Sequence, residues 1–220
     1  MNQSLRIITP TDWKTSLWSG GKTSEIAIFP ADADYASRQF LWRLSSATVE
    51  NETSDFTPLP GFSRFISTLD APICLTHDAS KLTLYPGSIH FFAGGEETHS
   101  QGRCSDFNLI FDPDSCEAMV QALSFTASTI VALDTLYGIC GNAPSSGVSH
   151  DGVKQTCEAA APQVATESVQ YILFIKEGDC TIGDTKLQKH DTLVLTEICG
   201  QMLQTDTMCD VFAIRIQHRN

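Results

Sequence analysis

Short strand-like runs closed by Gly, Pro and Asp constrain this chain more than any other feature. In the second half, Val169 to Lys176 reads as a strand and Glu177-Gly178-Asp179 as a turn. Cys180 to Ile182 then leads to the hairpin dipeptide Gly183-Asp184, Leu187 to His190 leads to Asp191, Thr192 to Thr196 follows, and Val211 to Ile216 closes the series. A similar passage fills the first half. Phe62 to Leu69, Ile73 to His77, Leu82 to Tyr85 and Ile89 to Phe92 are separated by Asp78-Ala79-Ser80-Lys81 and Pro86-Gly87. Strands this short and this often interrupted do not build βαβ units; they predict an all-β chain. Strand, acidic glycine turn, strand is the pattern of a small jelly-roll-like β-barrel, and its repetition predicts two.

Asp112-Pro113-Asp114 is the expected boundary, giving an N-terminal barrel over residues 1–112 and a C-terminal barrel over 113–220. Between Ser115 and Leu133, Asp114 offers a helix cap, but Val120, Thr126, Thr129, Ile130 and Val131 favour strand. Tyr137 to Ser168, with Gly-Asn, Pro-Ser-Ser-Gly and an Ala-rich stretch, reads as a long loop. Two cupin-like barrels in one chain, a bicupin, is the predicted architecture.

The 220 residues carry a formal charge of −12, which disfavours nucleic acid and anionic membrane surfaces as partners. No apolar run approaches the roughly 18 residues of a spanning helix, and Met1 to Trp13 lacks the basic start and apolar core of a signal peptide. A cytoplasmic protein is expected, with its eight cysteines, none in a Cys-x-x-Cys pair, reduced and mostly buried.

One strand carries a charge where charge is costly. In Phe40-Leu41-Trp42-Arg43-Leu44-Ser45-Ser46-Ala47-Thr48-Val49, period-two alternation puts Arg43 on a face with Leu41, Ser45, Ala47 and Val49. Turned inward, that guanidinium needs a carboxylate, from the protein or from a ligand. Asp106-Phe107-Asn108 offers one: Asp106 and Asn108 share a face while Phe107 points to the core. Asp106 either neutralises Arg43 as a structural pair or joins it in holding a small polar molecule. Thr23 to Phe29 alternates too, with Ser24, Ile26 and Ile28 on one side and Glu25, Ala27 and Phe29 on the other. Gly20-Gly21-Lys22-Thr23 lacks the leading Gly and following helix of a phosphate loop. Its glycines fit a tight turn or a close approach of backbone to a ligand or the barrel wall.

Barrels of this kind hold metals through a His-x-His pair, and the six histidines include none. His77, His90 and His99 would have to converge from separate strands, so neither metal nor cofactor is predicted. With no Gly-x-Ser-x-Gly elbow either, no catalytic residue is assigned.

Four segments resemble the motifs of the HutD/Ves family in order: Trp18-Ser19-Gly20-Gly21-Lys22-Thr23-Ser24-Glu25, Trp42-Arg43-Leu44-Ser45-Ser46-Ala47, Asp55-Phe56-Thr57-Pro58-Leu59-Pro60-Gly61-Phe62-Ser63-Arg64, and Asp106-Phe107-Asn108. Ser19, Lys22, Thr57 and Leu59 depart from the usual residues, implying a pocket that differs from its relatives'. The resemblance implies a two-barrel cupin without the usual metal ligands. It also implies a link to histidine utilisation or stress response, and brings no established catalytic activity. The expected function is non-catalytic binding of a small, carboxylated metabolite of histidine-pathway type. The ligand-binding set is Trp18, Gly20, Gly21, Thr23, Arg43, Ser45, Asp106 and Asn108. A metal-independent enzyme using Asp106 or a histidine as acid or base, and an interaction module without a ligand, are the alternatives; an oligomer is compatible with all three.

Overall fold

The computed structural model describes residues 5–78, 80–138 and 168–219. The first half contains β1 (Leu5–Ile8), β2 (Lys14–Trp18), β3 (Gly21–Phe29), β4 (Trp42–Val49), β5 (Thr53–Asp55), β6 (Ser63–Thr68), β7 (Ile73–His77), β8 (Ser80–Leu84), β9 (His90–Ala93), β10 (Thr98–Gln101) and β11 (Cys104–Phe111). The second contains β12 (Cys116–Phe125), β13 (Thr129–Ala132), the short helix α1 (Leu133–Leu136), β14 (Val169–Glu177), β15 (Asp179–Ile182), β16 (Thr185–Gln188), β17 (Thr192–Leu195), β18 (Met202–Thr205) and β19 (Cys209–His218). The ambiguous segment after Asp114 is thus strand at β12 and β13. The long loop expected over 137–168 falls almost wholly outside the described residues. Tyr137 itself is buried, its hydroxyl donating to the Ile172 carbonyl at 3.0 Å.

Each half is a pair of facing sheets that stay separate rather than closing into a continuous barrel. The first half has a six-stranded sheet, β2-β3-β4-β11-β6-β9, and a four-stranded one, β5-β10-β7-β8. The second has a five-stranded sheet, β1-β17-β14-β19-β12, and a four-stranded one, β13-β18-β15-β16. The chain division at residue 112 is crossed by β1, which pairs Leu5 with Leu195 and Ile8 with Thr192 in the second half's sheet. Ile8 is buried in the interface between the halves, which anchors the strand there.

The two largest sheets pack back to back. Trp42, Leu44, Phe107 and Leu109 of the first half form one buried cluster with Ile172, Phe174, Phe212 and Ile214 of the second. The Phe107 ring lies 4.6 Å from Phe212 and 5.5 Å from Phe174. Trp42 Nε1 donates to Gln170 Oε1 at 2.7 Å across the same boundary, which satisfies the one polar atom of an otherwise buried indole.

This packing fixes which face of β4 looks inward. Trp42 and Leu44 face the other half, so Arg43, Ser45, Ala47 and Val49 face the interior of their own half, as alternation predicts. On β3 the alternation breaks. Glu25 pairs with Ser45, but Ala27 pairs with Leu44, so Ile26 is an extra residue in a bulge. Ala27 and Phe29 consequently face the other half, while Glu25, grouped with them by simple alternation, faces inward.

Because Phe107 touches phenylalanines of both β14 and β19, Phe107→Ala opens a cavity between the halves. Urea denaturation should show a loss of about 3–5 kcal/mol; a loss below about 1 kcal/mol would show that the halves do not depend on this contact.

Candidate functional site

The inner face of the first half is apolar at one end, where Val49, Ile66, Leu75 and Phe92 pack together, and polar at the other. The polar end encloses a cavity of about 280 Å³. β4 contributes Arg43, Ser45 and Ala47; β11 contributes Asp106 and Asn108; β6 contributes Arg64. Ser16, Trp18 and Thr23 of the β2–β3 hairpin form one wall, and Ser54 to Thr57 another.

Six of the eight predicted residues therefore meet at one cavity: Trp18, Thr23, Arg43, Ser45, Asp106 and Asn108. Gly20 and Gly21 do not line it. They belong to the turn that shapes its wall. The Trp18 ring lies on Gly20, and a side chain on Gly21, at φ 149°, would sit 1.9 Å from the Thr48 carbonyl oxygen. Of the three histidines, His77 and His90 meet, Nε2 to Nε2 at 3.0 Å, whereas His99 turns away to Asp55 at 2.5 Å. Among the described residues no group of three or more His, Cys, Asp or Glu side chains is arranged to hold a metal ion.

The partner of Arg43 is Glu25, not Asp106. Arg43 Nε donates to Glu25 Oε2 at 2.8 Å, and another guanidinium nitrogen donates to Ser45 Oγ at 3.1 Å. The β3 bulge makes this pairing available, because it leaves Glu25 on the same face as Arg43 before the strand's parity changes. The face of the guanidinium lies on the Tyr35 ring, 4.2 Å from its centroid, and Arg38 is at the same distance from that ring. Tyr35 sits in a short 3₁₀ turn within the segment read as a loop, so strand alternation gave no signal for it.

Asp106 has a different job. The β4–β11 ladder pairs Ser105 with Thr48 and resumes at Asn108 with Ser45. In the gap, Asp106 Oδ1 accepts the Ala47 backbone N–H at 2.8 Å. The carboxyl is 5% exposed. Burial pushes its pKa up to about 7; the Ala47 N–H, then the Arg43 and Arg64 guanidiniums, oppose that rise without cancelling it.

Arg64 is the residue that sequence reasoning left without a role. It is 4% exposed and lies between the rings of Phe56 and Phe92, 5.9 and 5.7 Å from their centroids. One terminal nitrogen donates to the Thr57 carbonyl. Its Nε–H is buried and, among the described residues, has no hydrogen-bond partner; Asn108 Oδ1 is in the same position. Burial is the largest influence on the Arg64 pKa and lowers it, but a guanidinium stays charged in proteins. The site thus offers an uncommitted cationic donor and an uncommitted acceptor in one cavity. The signal was present: Arg64 shares a strand face with Ile66 and Thr68, the same anomaly that marked Arg43.

A model of the HutD family matches residues 10–158. No curated protein matches the chain. Among solved structures, HutD from Pseudomonas fluorescens SBW25, in a formate condition, superposes with a TM-score of 0.69 at 21% identity, over 98% of this chain and 100% of that one. A conserved protein of unknown function from Pseudomonas aeruginosa PAO1, PA5104, gives 0.69 at 24% identity, over 96% and 98%. The Escherichia coli pirin YhhW, in complex with nickel(II), gives 0.63 at 10% identity, over 97% and 98%. At these identities the likenesses speak to the fold alone, which is cupin-like, with two halves of paired, unclosed sheets.

A buried carboxyl with a raised pKa makes the fold less stable as pH rises. The folded protein holds the Asp106 proton up to about pH 7, whereas the unfolded chain releases it near pH 4. Stability is therefore lost between those values as pH increases. Asp106→Asn keeps the acceptor for Ala47 and cannot titrate. Urea melts from about pH 4 to pH 8 should show the variant gaining on the parent by on the order of 4 kcal/mol. Parallel pH profiles would contradict the assignment.

Proposed function

Because the chain belongs to the HutD family, and because its first half encloses a polar cavity with two buried arginines, we propose that it is a non-catalytic binding protein for a small carboxylated metabolite. The observation that carries this reading is the buried Arg64 Nε–H with no partner among the described residues. A buried charged donor left unpaired is expensive, and a carboxylate repays that cost with a charge-assisted hydrogen bond. Arg43, already held by Glu25 and Ser45, adds positive potential rather than the primary contact. Asn108 Oδ1, also unpaired, suits an N–H donor elsewhere on the ligand, and Trp18 supplies an apolar wall. A role in histidine utilisation, through a pathway metabolite bound in this cavity, fits the family.

Thermal shifts against histidine, urocanate, formiminoglutamate, glutamate and formate test the reading. A bound metabolite at 100 times its Kd should add about 2.7 kcal/mol, and the shift should vanish in Arg64→Gln while surviving at reduced size in Arg43→Lys. If no carboxylate raises the midpoint, or if Arg64→Gln responds as the parent does, the proposal is wrong.

A further inference from the structure

The charges facing the cavity set a condition on what can enter. Arg43 comes from β4 and Arg64 from β6, while Glu25 from β3 is committed to Arg43. Asp106 from β11 faces both guanidiniums. Asp70, in the turn after β6, is the other acid that bears on Asp106, and it opposes ionisation. On the same strand, burial holds the Cys104 thiol up at about 12, so it stays neutral; Tyr35 meets the arginines with its ring.

Arg38, over the Tyr35 ring, and Asp55, on the cavity wall and bonded to His99, are exposed and screened by solvent. Among the remaining, inward-facing groups, with Asp106 ionised, two guanidiniums are balanced by two carboxylates. A monoanion entering that balanced set would leave a net negative charge in a buried space, where charge is costly. With Asp106 protonated the set carries one positive charge, which matches a monoanion. We propose that a monocarboxylate binds this cavity together with one proton, which comes from solvent and resides on Asp106 in the complex. This rests on the carboxylate-binding reading above. The step balances: the ligand enters as RCOO⁻, one proton adds to the Asp106 carboxylate, and no bond of the ligand breaks. The new Asp106 O–H can donate to the ligand carboxylate or to a water beside it, while its Oδ1 continues to accept from Ala47. The carboxyl already lies close to the point of balance, its pKa being pushed up to about 7 by burial, so the added anion has only to complete the shift. Asp106 is then a proton-linked binding residue that makes ligand retention responsive to pH.

Formate is a suitable probe, since its own ionisation is complete well below neutrality. Calorimetric titration of the full chain with formate, in two buffers of different ionisation enthalpy, counts protons directly. At about pH 8 close to one proton should be taken up per formate bound. The apparent Kd should weaken by up to about tenfold per pH unit above about pH 7 and level off below it. In Asp106→Asn the Kd should be flat with pH and the observed binding enthalpy the same in both buffers. If formate binds the parent with no proton uptake and a pH-independent Kd, the linkage is wrong while the carboxylate reading stands. If neither formate nor any of the carboxylates named above binds at any pH, the carboxylate reading fails and takes the linkage with it. The buffer comparison needs only the parent protein, so it decides the matter even if the variant does not fold.

Discussion

The pairing of β3 with β4 through a bulge at Ile26 is the constraint on which the rest of this structure rests. Before the bulge β3 gives Glu25 to the interior of the first half; after it, β3 gives Ala27 and Phe29 to the packing between the halves. One strand thereby meets two demands that simple alternation would set against each other. The apolar demand is the larger. The six-stranded sheet must cover its outer face, and the five-stranded sheet of the second half, with Phe174, Phe212 and Ile214, covers it. Once Trp42 and Leu44 are committed to that contact, Arg43 has no choice but to point inward, and Glu25 is there to receive it. Breaking such a buried pair costs roughly 3–5 kcal/mol, so the polar end of the cavity is held by the same strand pairing that builds the core.

Holding Arg43 in this way changes what the cavity can do. A guanidinium with its Nε bonded to Glu25, a terminal nitrogen on Ser45 and its face on Tyr35 is a fixed electrostatic element. Arg64 is different, being equally buried but with Nε uncommitted among the described residues. The two arginines divide the work, one setting potential and the other offering a directed donor. Asp106 completes the arrangement from the opposite strand. Its carboxyl fills a gap in the β4–β11 ladder, so it is structural through Oδ1, and burial leaves its proton easy to move. On the proposed reading, the same three side chains both receive the anion and carry the linked proton.

Much of this was legible in the sequence wherever strands are regular. On β4 and β11 no bulge intervenes, so period-two reading grouped Arg43 with Ser45 on one face, and Asp106 with Asn108 opposite a core-facing Phe107, and the structure turns both polar pairs to the inner face. The partner of Arg43 was not legible, because choosing between Glu25 and Asp106 needs the β3 register, and a one-residue bulge leaves no mark in the hydrophobic pattern. Tyr35 was hidden for a related reason: a 3₁₀ turn has no alternation to read. Arg64 was available to the same logic as Arg43, since Ser63-Arg64-Phe65-Ile66 alternates cleanly. The crossing of β1 into the second half was not available, because that strand pairs with β17, far along the chain, and short apolar runs do not announce their partners.

The most direct test of the account is which arginine moves when a carboxylate arrives. Side-chain Nε–Hε resonances in ¹⁵N-labelled protein report this without any substitution in the cavity. As a carboxylate is added, the account predicts that the Arg64 Hε resonance shifts saturably downfield as it gains a charged acceptor. The Arg43 Hε resonance, already bonded to Glu25, should stay close to its starting position. A saturable shift of Arg43 with Arg64 unmoved, or no shift of either, would contradict the claim that this cavity is an anion site anchored on Arg64.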